Sequence, residues 1–366
     1  MATITLHRDR LHHNYDWLTQ QFESNGIEWG VVTKLLCGNT TFMREIIDLG
    51  TREIHDSRIR NLKVVKSIDP DIQTVYIKPP PKRSVKSVIR YADVSFNTEY
   101  ETMKMLSEEA VRQGKTHKVI IMIEMGDLRE GVLGDRIVDF YKSVADLPNL
   151  DIVGLGTNLN CLHGVMPSHD KLIQLSLYKQ LIEAHIGKPI PWASRGTSVT
   201  VPLLLKKLCP AGINHFRIGE MLFFGLDLFT METIEGLYDD VLVLDAEIIE
   251  LNEKPKVPVG ELAQDPSGDV HEINEDDYGK TSYRAILDIG LLDVNPEYLI
   301  PADEGITFSG ASSDMIVMDL GDSDHGFKVG DLMRFKLRYM GALSLMNSDY
   351  IDKMCILSSI SSPRVF

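Results

Sequence analysis

The sequence predicts an α/β protein in which a (β/α)8 barrel of the TIM type is followed by a C-terminal β domain. From about residue 8 to 230, short β-rich apolar runs alternate with amphipathic stretches of helical length. Eight such units over roughly 220 residues match the size of a TIM-type barrel. After Gly236 the helical stretches largely stop, and strand-like runs follow one another with turns between them.

The eight strands assigned to the barrel are all short and rich in apolar or β-branched residues. They are Gly30–Lys34, Glu53–Asp56, Thr74–Lys78, Val94–Asn97, Lys118–Met125, Ile152–Leu159, Pro191–Ser194 and His215–Gly219. Segments of helical length, such as Thr40–Leu49 and Thr98–Gln113, separate most of them. A doubly wound parallel sheet is the competing architecture, but it has no need of eight strands.

The predicted boundaries place the barrel at 8–230 and the β domain at 231–366, with an N-terminal strand at 1–7 joining the β domain. The strands expected in the β domain are Asp240–Ile249, Tyr283–Ile289, Met315–Asp319 and Asp331–Leu337. The segment Gln264–Lys280 carries six acidic residues, two glycines and a proline, so we expect an exposed loop. A lid is its functional alternative.

Charge and cysteine usage limit the class of partner and compartment. The 366-residue chain has a formal net charge of −15, with 43% hydrophobic and 25% charged residues. This is a globular composition, and its acidic balance argues against nucleic acid or an anionic membrane as partner. The four cysteines are scattered without a CxxC pair, which favours reduced thiols in a cytoplasmic protein. The N-terminus lacks the apolar core of a signal peptide, and no apolar run approaches the length of a membrane span.

Catalytic groups of a barrel lie at the C-terminal ends of its strands, and the first predicted strand ends at Lys34. Apolar residues flank this lysine on both sides. Burial of a lysine is costly unless its charge is paired, removed or chemically consumed, and a Schiff base with pyridoxal phosphate consumes it. A lysine that extends its amine to water or pairs with a carboxylate is the structural alternative.

The ends of the last two barrel strands suit an anion. Thr197 and Ser198 offer two hydroxyl groups after the seventh strand, and Arg217 lies at the end of the eighth. Gly219 permits close approach of the backbone, so the amides of Gly219 and Glu220 could bind phosphate oxygens. Barrels often hold a phosphate on the loops after these two strands. The two strand ends therefore predict one phosphate site.

Several motifs together resemble the alanine racemase family, and within it the ornithine racemase branch. These motifs extend from about residue 3 to 351 and include Val32–Asn39, Asp56–Lys63, Asp127–Gly131, Gly156–Cys161, Phe216–Glu220, Glu253–Pro255, Gly310–Asp314, and Tyr339 followed by Gly341–Leu343. The resemblance implies a pyridoxal-phosphate-binding barrel, a C-terminal β domain, and head-to-tail homodimers with active sites shared between subunits.

The resemblance also implies roles for individual residues. Lys34 would form the Schiff base with pyridoxal phosphate and act as one proton-transferring base. Arg217 would face the pyridine nitrogen and, being too basic to give up a proton, would leave that nitrogen unprotonated. Such a ring is a weaker electron sink, which favours simple proton return over transamination. The phosphate would be held by Thr197, Ser198, Gly219 and Glu220.

Two further residues are placed near the cofactor by the resemblance. Arg129 would lie near the phenolic oxygen and the substrate carboxylate, where a bidentate cation suits the task. An ion pair with Asp127 or Glu130 is its structural alternative. Asn158 stands where the family often has a histidine that supports the ring-side arginine, and an amide could do this by hydrogen bonding.

The chain departs from the family at the second base. A tyrosine normally follows the Ile-Gly pair of the β domain, but here Leu291 follows Gly290 and cannot transfer a proton. Gly38 also stands near the place of a phosphate-binding tyrosine. The available substitutes are Cys161, His163, Tyr339 and Asp314.

Three of these substitutes, Cys161, His163 and Asp314, have a structural alternative. A thiol can serve as a base if nearby cations lower its pKa, but Cys161 could equally be a packed, inert thiol. His163 titrates in the useful range, although most lone loop histidines have no role. Asp314 matches a family aspartate and would orient the partner or contact a distal substrate amine, and a turn cap is its alternative. Tyr339 would lie on the substrate side.

The sequence therefore predicts a pyridoxal-phosphate-dependent racemase of a small basic amino acid, with ornithine or lysine ahead of alanine. A lyase such as a D-threonine aldolase or a D-serine dehydratase would share the barrel but would need a metal held by closely spaced His and Cys. His271, His325 and Cys355 are too separated in sequence to suggest such a site. A non-catalytic pyridoxal-phosphate homeostasis protein would resemble the barrel alone.

Overall fold

The computed structural model describes residues 2–263 and 273–357, and the chain divides into two compact units. One unit is Leu11–Tyr238, and the other combines the residues up to Arg10 with those from Asp239 onwards. Residues 264–272 of the predicted acidic loop lie outside the described residues. Of the remainder, Glu275–Asp277 form an exposed 3-10 turn before the next strand.

Helices and strands alternate through most of the chain. The strands are β1 (Thr3–His7), β2 (Glu28–Val32), β3 (Glu53–Asp56), β4 (Gln73–Tyr76), β5 (Val94–Asn97), β6 (His117–Glu124), β7 (Val132–Leu133), β8 (Leu150–Gly156), β9 (Trp192–Thr197), β10 (His215–Ile218), β11 (Leu226–Asp227), β12 (Glu232–Thr233), β13 (Leu242–Pro255), β14 (Thr281–Leu287), β15 (Leu299–Pro301), β16 (Thr307–Ala311), β17 (Ile316–Gly321), β18 (Leu332–Leu337) and β19 (Asp352–Ile356). The α-helices are α1 (Arg8–Glu23), α2 (Thr40–Asp48), α3 (Ile59–Ile68), α4 (Val85–Tyr91), α5 (Tyr100–Gln113), α6 (Ile137–Val144), α7 (His169–Ile186), α8 (Val201–Leu205), α9 (Glu220–Phe224) and α10 (Tyr339–Asn347).

Eight parallel strands of the first unit form a closed barrel, which confirms the predicted fold class. Their order around the barrel is β2, β3, β4, β5, β6, β8, β9 and β10. The barrel closes because β10 pairs in parallel with β2, with Arg217 opposite Gly30. Parallel closure brings all the C-terminal strand ends to one rim, where the candidate site residues of this unit are found.

The chain turns away from the barrel immediately before Lys34. The predicted first strand runs to Lys34, whereas β2 ends at Val32 and Lys34 begins a 3-10 turn. The Thr33 hydroxyl donates to the buried Asp56 carboxylate at 3.0 Å, and the Asn61 amide donates to the same group at 3.1 Å. Burial raises the pKa of Asp56 to about 6, although these hydrogen bonds oppose the shift. The Asp56-Ser57-Arg58-Ile59-Arg60-Asn61 motif therefore anchors the segment that carries Lys34.

The second unit is built on an antiparallel sheet. Its main path runs β15, β18, β13, β14, β17 and β16, and the long strand β13 also pairs with β1. Strand β1 pairs in parallel with β19 on its other edge. The four strands predicted here are present with shifted ends, and the sequence analysis missed β15, β16, β19 and the helix α10. Tyr339 begins that helix.

Gly30 on β2 makes room for polar side chains inside the barrel. A Cβ atom at this position would lie 2.7 Å from His55 Nε2 and 2.8 Å from the Glu53 carbonyl oxygen. Both contacts are closer than van der Waals distance, so any larger residue must displace the neighbouring strand or the imidazole.

We expect Gly30→Ala to lower the free energy of unfolding by about 1–3 kcal/mol through overpacking. Gly310→Ala is the matched control, because no atom lies within 4 Å of its Cβ position and its φ is not positive. Chemical denaturation of both variants checks the prediction. Equal midpoints for Gly30→Ala and Gly310→Ala would show that Gly30 is not required for packing.

Candidate active site

Neighbouring strand ends gather the principal candidate residues of the barrel. Lys34 follows β2, Thr197 ends β9 and Ser198 follows it, and Arg217 lies on β10 between those two strands. Lys34 is exposed, so the argument from the cost of burying its charge does not apply to this side chain. Its flanking Leu35 and Leu36 are buried instead, because the 3-10 turn directs them into the core.

Arg217 is almost fully buried and is held by four hydrogen bonds. Its Nη1 donates to both the carbonyl oxygen and the hydroxyl of Ser194 at 2.6 Å. Its Nη2 donates to the Thr157 carbonyl oxygen at 3.1 Å and to Asn158 Oδ1 at 2.8 Å. A guanidinium has five N–H groups, so these contacts leave the one on Nε. That donor has no hydrogen-bond acceptor within residues 2–263 and 273–357.

The electrostatic surroundings keep Arg217 a cation. Burial lowers its pKa to about 10, and the nearby Cys161 and Glu130 oppose this shift. A pKa near 10 still leaves the guanidinium protonated at neutral pH. Its hydrogen-bond partners in the described part of the chain are neutral oxygens, so no carboxylate touches it directly.

A hydrogen-bonded chain connects Arg217 to Arg129. Asn158 accepts from Arg217 through its oxygen and donates through its amide nitrogen to Glu130 Oε1. Glu130 in turn accepts two bonds from Arg129, one of them from Nη2 at 2.6 Å. This ion pair is the structural alternative considered for Arg129, and it raises the pKa of that guanidinium. The Nη1 group of the Arg129 guanidinium thus lies outside the ion pair with Glu130.

The Asp127 carboxylate organises the loop that carries Cys161 and His163. It accepts hydrogen bonds from the backbone N–H groups of Cys161, Leu162, His163 and Val165 at 2.9–3.3 Å. Burial alone would raise the pKa of Asp127, but these four donors hold it below its ordinary value. The carboxylate is therefore ionised, and it fixes the loop beside the site.

The same loop determines which nitrogen of His163 carries hydrogen. His163 Nδ1 lies 2.8 Å from the Asp127 carbonyl oxygen, which can only accept a hydrogen bond. Nδ1 must therefore bear a hydrogen, and in the neutral imidazole Nε2 is left as a proton acceptor. His163 is exposed and so is accessible to a ligand.

Cys161 is less suited to accept a proton. The residue is exposed overall, but desolvation of its thiol raises the pKa, and the positive charges of Arg129 and Lys34 act in the opposite direction. The Sγ atom donates to the Leu159 carbonyl oxygen at 3.3 Å. A protonated thiol at neutral pH is consistent with both observations.

The predicted phosphate-binding residues join the ends of β9 and β10. The Ser198 hydroxyl accepts a hydrogen bond from the Met221 amide at 3.1 Å. Thr197 forms a capping box with Thr200, which fixes the turn after β9. A Cβ at Gly219 would lie 3.1 Å from the Val32 carbonyl oxygen, so glycine allows this loop to approach β2. Burial raises the pKa of Glu220, and the charge of Lys34 opposes it.

A second polar cluster lies deeper in the barrel and was missed by the sequence analysis. Glu53 Oε1 is 2.5 Å from His55 Nε2 and 2.8 Å from His215 Nε2. Burial alone would raise the pKa of Glu53, but the two histidines hold it well below its ordinary value. Burial lowers the pKa of His55. Glu53 and His55 lie two residues apart on β3, as do His215 and Arg217 on β10. Residues two apart on a strand share a face, so this polar spacing was the sequence signal for a cluster inside the barrel.

The remaining candidates belong to the β domain. Asp314 accepts hydrogen bonds from Ser312 and Ser313 within its own turn, which is the capping arrangement considered as its alternative. The Leu291 amide donates to the Ser312 carbonyl oxygen, so the position of the family tyrosine lies beside this turn. Tyr339 is half-buried at the start of α10.

The possible lyase metal ligands of the β domain do not form a group in the described residues. His325 Nε2 bonds the Leu320 carbonyl oxygen, Cys355 lies on β19, and His271 is outside the described residues. In the described part of the chain, the His, Cys and carboxylate donors that could hold a metal are those of Glu53, His55 and His215, within 4.8 Å of one another. No described helix is long and apolar enough to cross a membrane.

A closed barrel with a lysine, an arginine and hydroxyl groups at its C-terminal rim defines a TIM-barrel enzyme. Residues 6–227 match the model of the alanine racemase N-terminal domain. The ornithine racemase of Acetoanaerobium sticklandii is 34% identical over 96% of this chain and 98% of its own length. The lysine racemase of Thermotoga maritima is 30% identical over 96% of this chain and 97% of its own.

A solved structure shares the fold of this chain. The alanine racemase of Bartonella henselae, determined with covalently bound pyridoxal phosphate, gives a TM-score of 0.71 at 15% identity and covers 97% of this chain and 99% of its own. The chain belongs to the alanine racemase family, as the sequence motifs predicted. It is accordingly an enzyme of the isomerase class.

Proposed function

We propose that the chain is a pyridoxal-phosphate-dependent racemase that acts on a small basic amino acid, with ornithine or lysine ahead of alanine. The observation that carries this proposal is the anchored Arg217 guanidinium at the barrel rim, on the strand next to the one that Lys34 follows. The ornithine and lysine racemases that align over nearly the whole chain support the choice of substrate class.

The described residues fit the cofactor. The Nε–H of Arg217 makes no hydrogen bond within the described part of the chain, and it suits an unprotonated pyridine nitrogen, which can only accept. The hydroxyls of Thr197 and Ser198 and the close-packed Gly219 lie on the two neighbouring strand ends, where a phosphate would be held together with Glu220. The Lys34 amine at the adjacent strand end is the nucleophile that an aldehyde requires.

When bound, pyridoxal phosphate supplies an aldehyde for the amino group of the substrate and a ring that withdraws electrons from the Cα–H bond. Arg217 limits the withdrawal, because a permanent cation beside the ring nitrogen opposes protonation there. Asn158 supports the guanidinium from the side. Lys34 would move a proton at one face of Cα, and a second group must serve the other face.

We propose His163 as the second base, ahead of Cys161. The Asp127 carbonyl oxygen fixes the hydrogen on Nδ1 of His163, so that Nε2 accepts protons. Burial instead favours the protonated form of Cys161. Leu291 offers no transferable proton, which makes a base from the barrel necessary unless Tyr339 or Asp314 supplies it.

Substrate recognition would use both cations and carboxylates. Arg129 retains Nη1 outside its pair with Glu130, and that amine suits the substrate carboxylate or the phenolic oxygen of the cofactor. Asp314 and Tyr339 would contact the distal part of the substrate, where a carboxylate suits the ammonium group of ornithine or lysine. We propose the cytoplasm as its compartment, because the four scattered cysteines favour reduced thiols.

Isotope exchange tests the proposed reaction. Purified protein with pyridoxal phosphate is incubated in deuterium oxide with single L-amino acids, and Cα deuteration and configuration are recorded. We expect ornithine and lysine to invert with deuterium at Cα, alanine to react more slowly, and Lys34→Ala to be inactive. Formation of an aldehyde or a keto acid would support the lyase alternative, and binding of cofactor without any exchange would support a homeostasis protein.

The same assay separates the two candidate bases. His163→Asn should lower inversion by about 10²-fold or more, since general acid–base groups contribute on this scale. Exchange at the Lys34 face of one enantiomer should persist, because that proton transfer does not need His163. Cys161→Ser is the matched control in the same loop and should retain inversion. The reverse pattern would make Cys161 the second base.

We also propose a homodimer with shared active sites, in which Asp314 of one subunit approaches Lys34 of the other. The support is the family, together with the retained Gly310-Ala311-Ser312-Ser313-Asp314 motif beside Leu291. Co-expressed Lys34→Ala and Asp314→Ala chains should recover part of the activity, since one site of each mixed dimer has both residues. Failure to recover activity in a confirmed mixed dimer, with both single variants inactive, would contradict a shared site.

A further inference from the structure

His215, a buried histidine of the barrel, is linked to the site through Ser194. The Ser194 hydroxyl oxygen lies 2.6 Å from Arg217 Nη1 and 2.6 Å from His215 Nδ1. His215 Nε2 lies 2.8 Å from Glu53 Oε1. Strands β3 and β10 both pair with β2 and not with each other, so the contact between Glu53 and His215 crosses the barrel interior above Gly30.

One assignment of the hydrogens connects every group in this chain. Arg217 can only donate, so the Ser194 oxygen accepts from it. In this assignment the single hydroxyl hydrogen of Ser194 is directed to His215 Nδ1, which accepts it. His215 therefore carries its hydrogen on Nε2 and donates it to Glu53. The chain runs without a break from the cation to an ionised carboxylate.

His55 strengthens the carboxylate end of this chain. Its Nε2 also donates to Glu53 Oε1, while its buried Nδ1 has no hydrogen-bond partner in the described residues. A hydrogen on that nitrogen would be left unsatisfied, so the neutral Nε2–H form is favoured. The Gln73 amide donates to the second oxygen of Glu53. Glu53 is thus an ionised acceptor of three donors.

We propose that Glu53, His215 and Ser194 are positioning residues for Arg217, which supply its counter-charge through hydrogen bonds and fix its orientation toward the cofactor ring. This inference rests on the proposed function, because it acts through the contact of Arg217 with the ring nitrogen. Among the described residues no carboxylate bonds Arg217 directly, and hydrogen bonds in a buried chain polarise one another. Loss of Ser194 or of the Glu53 charge should therefore weaken that contact without removing Arg217.

Two histidines and a carboxylate are also a ligand set for zinc. The hydrogen bonds favour the positioning role, because both imidazoles direct Nε2 to one carboxylate oxygen and Ser194 already engages the second nitrogen of His215. A metal ion would have to replace the hydrogen on Nε2 of both His55 and His215. Metal analysis of the purified protein tests this directly. A stoichiometric metal that is lost in Glu53→Gln would overturn the proposal.

Cofactor discrimination tests the positioning role. The affinity of apo protein is measured for pyridoxal phosphate and for its 1-deaza analogue, in which CH replaces the ring nitrogen. Wild-type protein should prefer pyridoxal phosphate. We expect Ser194→Ala and Glu53→Gln each to lower this preference by about tenfold, on the scale of one charge-assisted hydrogen bond. Glu53→Gln keeps the shape of the side chain. It therefore tests the proposal alone if Ser194→Ala fails to fold.

Ser95→Ala is the matched control. Ser95 and His117 form another buried Ser–His pair in the same barrel at 2.8 Å, and neither contacts Arg217. The Ser95→Ala variant should show the same preference for pyridoxal phosphate over the 1-deaza analogue as the wild-type protein. Equal losses of affinity for both ligands, or an unchanged preference in both test variants, would overturn the positioning role. Failure of wild-type protein to bind pyridoxal phosphate would instead overturn the proposed function and this inference with it.

Discussion

The structure depends most on the burial of one guanidinium inside a parallel barrel. An isolated buried cation is unstable, so Arg217 requires hydrogen-bond acceptors around its guanidinium. The barrel provides acceptors for its two Nη groups through Ser194, Thr157 and Asn158. These acceptors belong to β9 and the loop after β8, so the closure of the barrel and the placement of Arg217 depend on each other.

The same constraint determines the chemistry available at the rim. In the proposed function, a guanidinium that is held rigidly and remains protonated gives the ring nitrogen of the cofactor no proton, and this would favour return of a proton over transfer of an amino group. The ion pair between Arg129 and Glu130 is connected to Arg217 through Asn158. A change at either arginine would therefore alter the orientation of the other. The loop held by Asp127 adds an imidazole with a defined proton acceptor to the same rim.

The sequence predicted the barrel and the principal rim residues because strand ends are visible in a one-dimensional pattern. Lys34 and Arg217 lie next to apolar runs, and parallel closure necessarily brings such ends together. The exposure of Lys34 was not predictable, since it depends on the 3-10 turn that Thr33 and Asp56 impose. The interior chain was also missed, because Glu53 and His215 are separated by 162 residues and meet only when the barrel closes.

The account requires that the amine of Lys34 carry the cofactor. Reduction of the yellow, cofactor-loaded protein with borohydride, followed by peptide mass spectrometry, locates the attachment site. The account predicts a single pyridoxyl-phosphate adduct on Lys34 and loss of visible absorbance in Lys34→Ala. An adduct on another lysine, or none, would contradict it.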